Sequence, residues 1–315
     1  MPELYPEIEP YDRGMLDVGD GNLIYWELCG NPSGQPAVVL HGGPGSACSR
    51  GFRRFFNPRA YRVALFDQRN CGRSKPHASD PAIDLSTNTT NHLLADIERL
   101  RRHLDVDRWL VLGGSWGCTL GLAYAERHPE RVAAMVLFGV TTGRHEEIDW
   151  LFRGGLARFF PEEWQRLIAF APSVDAHARL LFDADPGIRR AAAEEWCRWE
   201  SATPHWPPRH ELDERFKDPA YALCFARIVT HYVRHNLFLE DAVLLGNAGV
   251  LAGIPGVLVH GRFDFQSPVA NAWALKRAWP RADLVIVDGA GHGADAKVSA
   301  GIVRATDRLA RLPNG

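Results

Sequence analysis

The 315-residue sequence lacks the marks of several large classes of protein. No apolar run reaches membrane-spanning length, and the first residues carry neither the basic start nor the apolar stretch of a secretory signal. The formal net charge of -2 provides no basic field for nucleic acid or an anionic membrane surface. We therefore expect a cytoplasmic protein that binds no nucleic acid and no membrane, and whose partners are peptides or small molecules.

Cysteine is also sparse, and its placement excludes two kinds of site. The six cysteines are widely separated and include no C-x-x-C pair, which disfavours both a zinc site and a disulfide framework. They are Cys29, Cys48, Cys71, Cys118, Cys197 and Cys224. We expect reduced thiols, no metal and no cofactor, and the sequence makes no prediction of oligomeric state.

Hydrophobic residues, at 46% of the chain, are sufficient for a large core. Short apolar runs with turn residues between them predict β-strands. They span residues 23–28, 37–40, 62–66, 110–114, 134–138, 256–260 and 283–287. Helical periodicity over residues 90–104 and 299–312 predicts amphipathic helices. This alternation indicates an α/β fold whose mostly parallel sheet is covered by helices on both faces.

The pattern changes between about residues 141 and 249. Strand-like runs disappear there, and tryptophan, charged residues and helical spacing take over. We interpret this segment as a helical cap domain inserted into a core formed by residues 1–140 and 250–315. Most of its aromatic rings are expected to pack the core of the cap, and a few to line a pocket.

A glycine-flanked serine follows the apolar run at residues 110–114. The G-x-S-x-G motif, Gly113 to Gly117, lies between a predicted strand and a helical stretch, which is the context of a nucleophile elbow. Ser115 is the predicted nucleophile, and the amide of Trp116 at the helix N-terminus is a predicted oxyanion donor. The alternative is a glycine-rich turn with an ordinary serine.

A second glycine-rich loop, residues 41–45 with the sequence HGGPG, follows an earlier strand. Its backbone amides can point at one spot, and we predict that the Gly43 amide is the second oxyanion donor rather than part of a plain tight turn. His41 precedes the serine in the chain and is expected to brace this loop. In the polar turn at residues 67–74, an aspartate and an arginine are expected to pair and hold neighbouring loops.

The acid and base of a catalytic triad are predicted from chain order. Asp264 follows the strand at 256–260, and His292 lies between glycines after the strand at 283–287. Serine, acid and histidine occur in the order of elbow-type hydrolases. Asp288 also follows a strand close to the histidine and is an alternative acid. Asp264 and His292 have plainer interpretations too, as a turn aspartate and a surface histidine.

Taken together, these motifs make the chain resemble the proline iminopeptidases, or prolyl aminopeptidases, of the α/β-hydrolase fold. The likeness covers nearly the whole sequence. It includes residues 25–27 (YWE), 30–32 (GNP), 158–161 (RFFP) and 271–273 (NAW) in addition to the catalytic motifs.

The resemblance implies an aminopeptidase that releases N-terminal proline through Ser115, Asp264 and His292, with the Gly43 and Trp116 amides as oxyanion donors. It also implies that glutamates in the cap bind the free N-terminal amine of the substrate, one of them being Glu200, within residues 196–200 (WCRWE). For Glu200 the plainer interpretation is a solvated carboxylate on a helix face.

The sequence departs from the family at one position of this amine site. The family's second glutamate belongs to an Ala-Arg-Ile-Glu pattern, whereas residues 226–229 read ARIV, so Val229 carries no charge. An esterase, amidase or acyl-transferring hydrolase with the same triad is therefore an alternative function. A binding protein that uses the pocket without turnover is another.

Overall fold

The computed structural model describes residues 4–293 and 295–310, and its centre is a single mostly parallel β-sheet. Its strands are β1 (Asp12–Asp17), β2 (Leu23–Gly30), β3 (Gln35–Leu40), β4 (Tyr61–Phe66), β5 (Trp109–Gly114), β6 (Val132–Phe138), β7 (Gly256–Gly261) and β8 (Ala282–Val287). Across the sheet their order is β1-β2-β4-β3-β5-β6-β7-β8. The β1–β2 and β2–β4 pairs are antiparallel, and all other neighbours are parallel. The predicted α/β fold is confirmed.

Both faces of the sheet are buried along the inner strands β3 to β7, which explains why the sequences of these strands are apolar almost without interruption. Successive residues of a strand point to opposite faces. Val111 and Leu137 therefore pack into the hydrophobic cluster on one face, whereas Leu112 and Val136 pack into the cluster on the other. Helices cover both faces, as the continuous apolar runs predict for a parallel sheet.

The first strand was not predicted. The sequence of β1, DRGMLD, has no β-branched residue, and four of its six residues are fully or largely exposed. Its strand conformation comes from its neighbour, because all six residues pair with β2 in an antiparallel ladder. Backbone pairing at a sheet edge leaves little trace in the side-chain pattern on which strand prediction depends.

The helices of the described residues are α1 (Thr90–His103), α2 (Trp116–Arg127), α3 (His145–Phe152), α4 (Pro161–Phe170), α5 (Val174–Leu181), α6 (Pro186–Ala202), α7 (Pro219–Arg234), α8 (Val243–Asn247), α9 (Val269–Ala278) and α10 (Ala296–Leu309). None of them is long and apolar enough to cross a membrane. The predicted closing helix starts three residues earlier than expected, because the Asp295 carboxylate caps α10 by accepting hydrogen bonds from Lys297 and Val298. Residues 311 and 312 of that prediction lie outside the described residues.

Helices α3 to α8 form the insertion between β6 and β7. The long helices α6 and α7 pack against each other, and Trp196 and Phe225 lie in their shared hydrophobic cluster. The short helix α8 instead packs on α2 and α9, and its Leu244 belongs to the core cluster beneath the sheet. The predicted cap domain at residues 141–249 remains a prediction. Its last helix, α8, already contacts α2 and α9 of the core.

The polar turn after β4 is held by two ion-paired arginines. Arg73 donates to the Asp67 carboxylate at 2.7 Å, which is the pairing expected from the sequence. Arg69, which is almost fully buried, donates two hydrogen bonds to Asp96 of α1 at 2.7 and 2.9 Å and one to the half-exposed Asp20 at 2.9 Å. The turn is thereby tied to α1 and to the loop between β1 and β2.

Substitution of Asp96 by Ala is expected to lower the free energy of unfolding by about 3 kcal/mol, because it leaves the Arg69 guanidinium charged and buried. Urea denaturation followed by circular dichroism measures this change. Asp20→Ala is the matched control, because it removes a partner of the same arginine whose side chain is 44% exposed. The control should lower the free energy by less than about 1 kcal/mol, and equal losses would contradict the prediction.

Candidate active site

Ser115 lies at the sharp turn between β5 and α2. Its backbone has φ 54° and ψ −124°, in the positive-φ region that residues with a side chain rarely adopt. The turn is held by hydrogen bonds from the Ser115 amide to the Phe138 carbonyl and from the Cys118 amide to the Ser115 carbonyl. This strained turn is the nucleophile elbow that the G-x-S-x-G spacing predicts.

The two glycines of the motif are required by close backbone contacts. A Cβ at Gly117 would lie 2.0 Å from the carbonyl oxygen of Leu40, and a Cβ at Gly113 would lie 2.3 Å from the carbonyl oxygen of Gly117. Neither neighbour is a movable side chain. The elbow therefore packs directly against the end of β3 and admits no larger residue at either position.

The three side chains of the predicted triad form one hydrogen-bonded chain. His292 Nε2 lies 2.8 Å from Ser115 Oγ, and His292 Nδ1 lies 2.8 Å from Asp264 Oδ2. The residues follow β5, β7 and β8, whose carboxyl ends meet at the same edge of the sheet. This arrangement can deprotonate the hydroxyl through the imidazole while the carboxylate holds the ring.

Asp264 is itself positioned by groups that the sequence analysis did not identify. Its Oδ1 accepts a hydrogen bond from the Ser267 amide at 2.8 Å. The buried ring of His260, at the end of β7, lies 3.4 Å from Asp264 Oδ2. His260 Nδ1 accepts from the Val140 amide, so its Nε2 carries the proton that it donates to the Ser267 carbonyl. A histidine four residues before the predicted acid was the available signal.

The surroundings of His292 favour its protonated form. Burial lowers the pKa of an imidazole, but the charge and hydrogen bond of Asp264 outweigh it and raise the pKa of His292 above its ordinary value. Glu200 acts in the same direction, and Arg215 opposes it. His292 can accept the serine proton only when neutral, so its capacity as a base falls as the pH drops through this raised pKa.

Asp288, the alternative acid, points away from the triad. Its carboxylate pairs with Arg262 at 2.6 Å, and both side chains are largely exposed. It has no hydrogen bond to His292 in the described part of the chain. The acid that contacts His292 is Asp264.

The residues of both predicted oxyanion amides, Gly43 and Trp116, line the same cavity as Ser115. The loop at residues 41–45 packs against the elbow so closely that a Cβ at Gly42 would be 3.3 Å from the Ser115 Cβ. Gly43 and Trp116 both line the pocket, and neither amide donates to another described residue. The His41 ring braces the loop, since Nε2 accepts from the Gln68 amide and Nδ1 donates to the Gly42 carbonyl. Two free amides beside a nucleophile can stabilise a developing oxyanion.

A cavity of about 730 Å³ opens above Ser115, between the sheet edge and the inserted helices. Glu200 of α6 and Val229 of α7 both line it, so the two positions considered in the sequence face the same space. Val229 is buried in an apolar wall with Phe225 and Val233. No group of three or more His, Cys, Asp or Glu side chains in the described ranges is arranged to hold a metal ion.

Glu200 differs from the other acidic side chains of the cavity in having no close cation. Asp67 pairs with Arg73, Glu147 pairs with Arg144, and Asp213 lies 3.1 Å from His205. The Glu200 carboxylate is contacted at 3.5 Å by the Gln266 amide, and the side chains of Trp196 and Gln266 both favour its ionised form. Burial raises the pKa of Glu200 to about 7, although Arg215 and His292 oppose the rise. A buried carboxylate without a cation is suited to bind an ammonium group from a ligand.

Comparison with known proteins gives consistent matches along the whole chain. Residues 36–181 match the family model described as alpha/beta hydrolase fold. A probable proline iminopeptidase of Streptomyces coelicolor is 52% identical over 319 residues, covering 98% of each chain. A proline iminopeptidase of Xylella fastidiosa is 48% identical over 301 residues, covering 93% of this chain and 95% of the relative.

Solved structures with the same fold are more distant in sequence. A proline iminopeptidase of Mycobacterium smegmatis superposes with a TM-score of 0.66 at 18% identity, covering 95% of this chain and 99% of that one. An esterase of Exiguobacterium antarcticum has the same TM-score at 17% identity and the same coverage. At this identity the structural likeness shows the fold, which both enzymes share with this chain.

An alkyl fluorophosphonate should label Ser115 covalently, at a rate that falls as the pH drops through the raised pKa of His292. Asp264→Asn removes the charge that raises this pKa, so the acidic limb should move to lower pH and the labelling rate should fall by a factor on the order of 10⁴. Intact-protein mass spectrometry measures the rate, with Ser115→Ala as the unlabelled control. A labelling rate that changes neither with pH nor in Asp264→Asn would contradict the assignment of His292 as the base and Asp264 as its partner.

Proposed function

The chain belongs to the proline iminopeptidase family of α/β-hydrolases, and we propose that it releases N-terminal proline from peptides through a Ser115 acyl-enzyme. The hydrogen-bonded chain from Ser115 through His292 to Asp264, at the floor of a cavity that also contains Glu200, is the observation that supports this mechanism. The relatives at 42–52% identity along most of the chain support a hydrolase of the prolyl aminopeptidase type.

In the proposed reaction, His292 Nε2 takes the Ser115 proton while Oγ attacks the carbonyl carbon of the substrate's first residue. The negative charge that develops on the carbonyl oxygen is stabilised by the Gly43 and Trp116 amides. The protonated His292, held by Asp264, then gives its proton to the leaving amine, and the acyl-enzyme remains. Water then attacks the acyl carbon as the same imidazole takes its proton; the bond to Ser115 Oγ breaks, His292 returns the proton to Oγ, and proline is released.

We assign recognition of the free N-terminal amine to Glu200. It is buried and lines the same cavity as Ser115 and His292, so an ammonium bound to it shares that cavity with the proposed nucleophile. The ionised carboxylate is the form that attracts an ammonium. Because the pKa of Glu200 is about 7, binding of the substrate amine should weaken as the pH falls below that value.

Val229 leaves Glu200 as the single amine-binding carboxylate of this proposal. The apolar wall around Val229 offers the proline ring a surface without charge. The same wall is the observation that favours the second candidate, hydrolysis of neutral esters or amides by the same triad. The proposed substrates are peptides, and the cytoplasmic location expected from the sequence is part of the proposal, supported by six cysteines that are all free thiols.

Glu200→Gln should lower kcat/KM for a prolyl arylamide by about 30-fold to several thousand-fold, because the substrate ammonium loses its partner at a cost of about 2 to 5 kcal/mol. The reactivity of Ser115 toward a neutral fluorophosphonate should change by less than about 3-fold. The matched control is Glu194→Gln, one and a half turns earlier on α6, whose carboxylate pairs with Arg198 outside the cavity. Loss of both activities in Glu200→Gln would indicate a general structural defect instead.

N-acetylation of the prolyl arylamide should abolish most of its turnover, because an acetylated proline has no ammonium for Glu200. Release of the arylamine by the native enzyme, measured for the free and the acetylated substrate, tests this directly. Short-chain neutral acyl esters complete the panel. A preference for these esters over the free-amine substrate, or indifference to acetylation, would favour the second candidate.

A further inference from the structure

The cavity above Ser115 is lined by an arginine, Arg215, whose guanidinium donates no hydrogen bond to a carboxylate of the described residues. Its other arginine, Arg73, is bound to Asp67 at 2.7 Å and to Glu27 at 3.0 Å. Arg215 has, among the described residues, one ion pair, a 3.7 Å contact with Asp213 that is too long for a hydrogen bond. Asp213 in turn lies closer to His205, at 3.1 Å. The guanidinium of Arg215 therefore retains donors for a ligand.

Neighbouring aromatic rings hold Arg215 in place. It lies in the short 3-10 turn Glu214–Lys217, and its guanidinium sits 4.4 Å from the ring centre of Phe216 and 5.5 Å from that of Phe225. Stacking on aromatic faces leaves the N–H groups at the edge of the guanidinium plane available. That edge is the geometry in which arginine binds a carboxylate with two parallel hydrogen bonds.

Arg215 lies near both proposed functional groups without being bound to either. Its charge lowers the pKa of Glu200 against the effect of burial, and it also lowers the pKa of His292. Yet no ion pair within 4 Å joins Arg215 to Glu200 in the described part of the chain. The cavity thus presents a separated carboxylate and guanidinium beside the nucleophile, which is complementary to a small zwitterion.

We propose that Arg215 binds the free C-terminal carboxylate of a dipeptide whose N-terminal ammonium is held by Glu200. The proposal rests on the proposed function, because it uses the same nucleophile and the same amine site. Both groups line the cavity of about 730 Å³ that also contains Ser115, and an extended dipeptide, about 7 Å long, is short enough for both of its charged ends to lie within it. In a longer peptide the second residue ends in a neutral amide, which cannot form the ion pair. Dipeptides are therefore the preferred substrates.

The test compares prolyl-glycine with prolyl-glycine amide, which differ only in the charge of the terminal group. Native enzyme should release proline from the dipeptide with a kcat/KM about tenfold higher, the size of one charge-assisted hydrogen bond. Arg215→Gln should bring the ratio of the two values to about one. Arg215→Lys, which keeps the charge without the planar fork, should give an intermediate ratio.

The ratio of kcat/KM for prolyl-glycine to kcat/KM for prolyl-glycine amide is measured within each variant, so a general loss of activity affects both values and cancels. Arg198→Gln is the matched control, because Arg198 is an arginine of the inserted helices that pairs with Glu194 and Glu195 outside the cavity, and it should keep the native ratio. A ratio near one in the native enzyme, or the same ratio in Arg215→Gln as in the native enzyme, would overturn this proposal. Turnover of the prolyl arylamide by the native enzyme would still support the proposed function in either case. Failure of the native enzyme on the arylamide and both dipeptide substrates would overturn the proposed function, and this inference with it.

Discussion

The close approach of two backbone segments at Gly117 is the constraint on which the rest of the site depends. Because no Cβ stands between them, the first turn of α2 rests on the carbonyl of Leu40 at the end of β3. Strand β3 runs into the loop that contains Gly43, and β5 runs into Ser115. The contact therefore fixes the loop and the proposed nucleophile relative to each other, and it lets the sheet hold the Ser115 backbone in its strained conformation.

The charged side chains around the cavity divide into those paired within the protein and those without a close partner. Most charged groups around it are already paired within the protein, as Asp67 is with Arg73, and these pairs hold the loops at the sheet edge. Asp264 is committed to His292 and to the Ser267 amide. Among the described residues lining the cavity, Glu200 has no ion pair within 4 Å, and Arg215 has only the 3.7 Å contact with Asp213. Paired charges maintain the shape of a site, and unpaired ones are available to select a ligand.

Sequence reasoning was sufficient where one local pattern determines one local structure. The elbow around Ser115 was predictable because a glycine spacing requires a specific turn, and the strands of the buried sheet because both of their faces are apolar. Strand β1 was missed, since its conformation comes from pairing with β2. His260 and Arg215 were missed for a related reason: their importance depends on which side chains face them in space, and no spacing along the chain encodes that. Glu200 was identified through a family resemblance, because an isolated glutamate on a helix carries no signal of its own.

The valine at position 229 is compatible with an amine site because burial changes the strength of a single charge. Val229 and Phe225 belong to an apolar wall of the cavity that Glu200 also lines, and burial raises the pKa of the Glu200 carboxyl group. A lower local dielectric also strengthens the attraction between that carboxylate and an ammonium, once a substrate brings one in. A second carboxylate in place of Val229 would add attraction, but it would also repel Glu200 and raise its pKa further. In the proposed amine site, one buried carboxylate beside an apolar wall would therefore select a free amine through desolvation, where a pair of carboxylates would select it through charge.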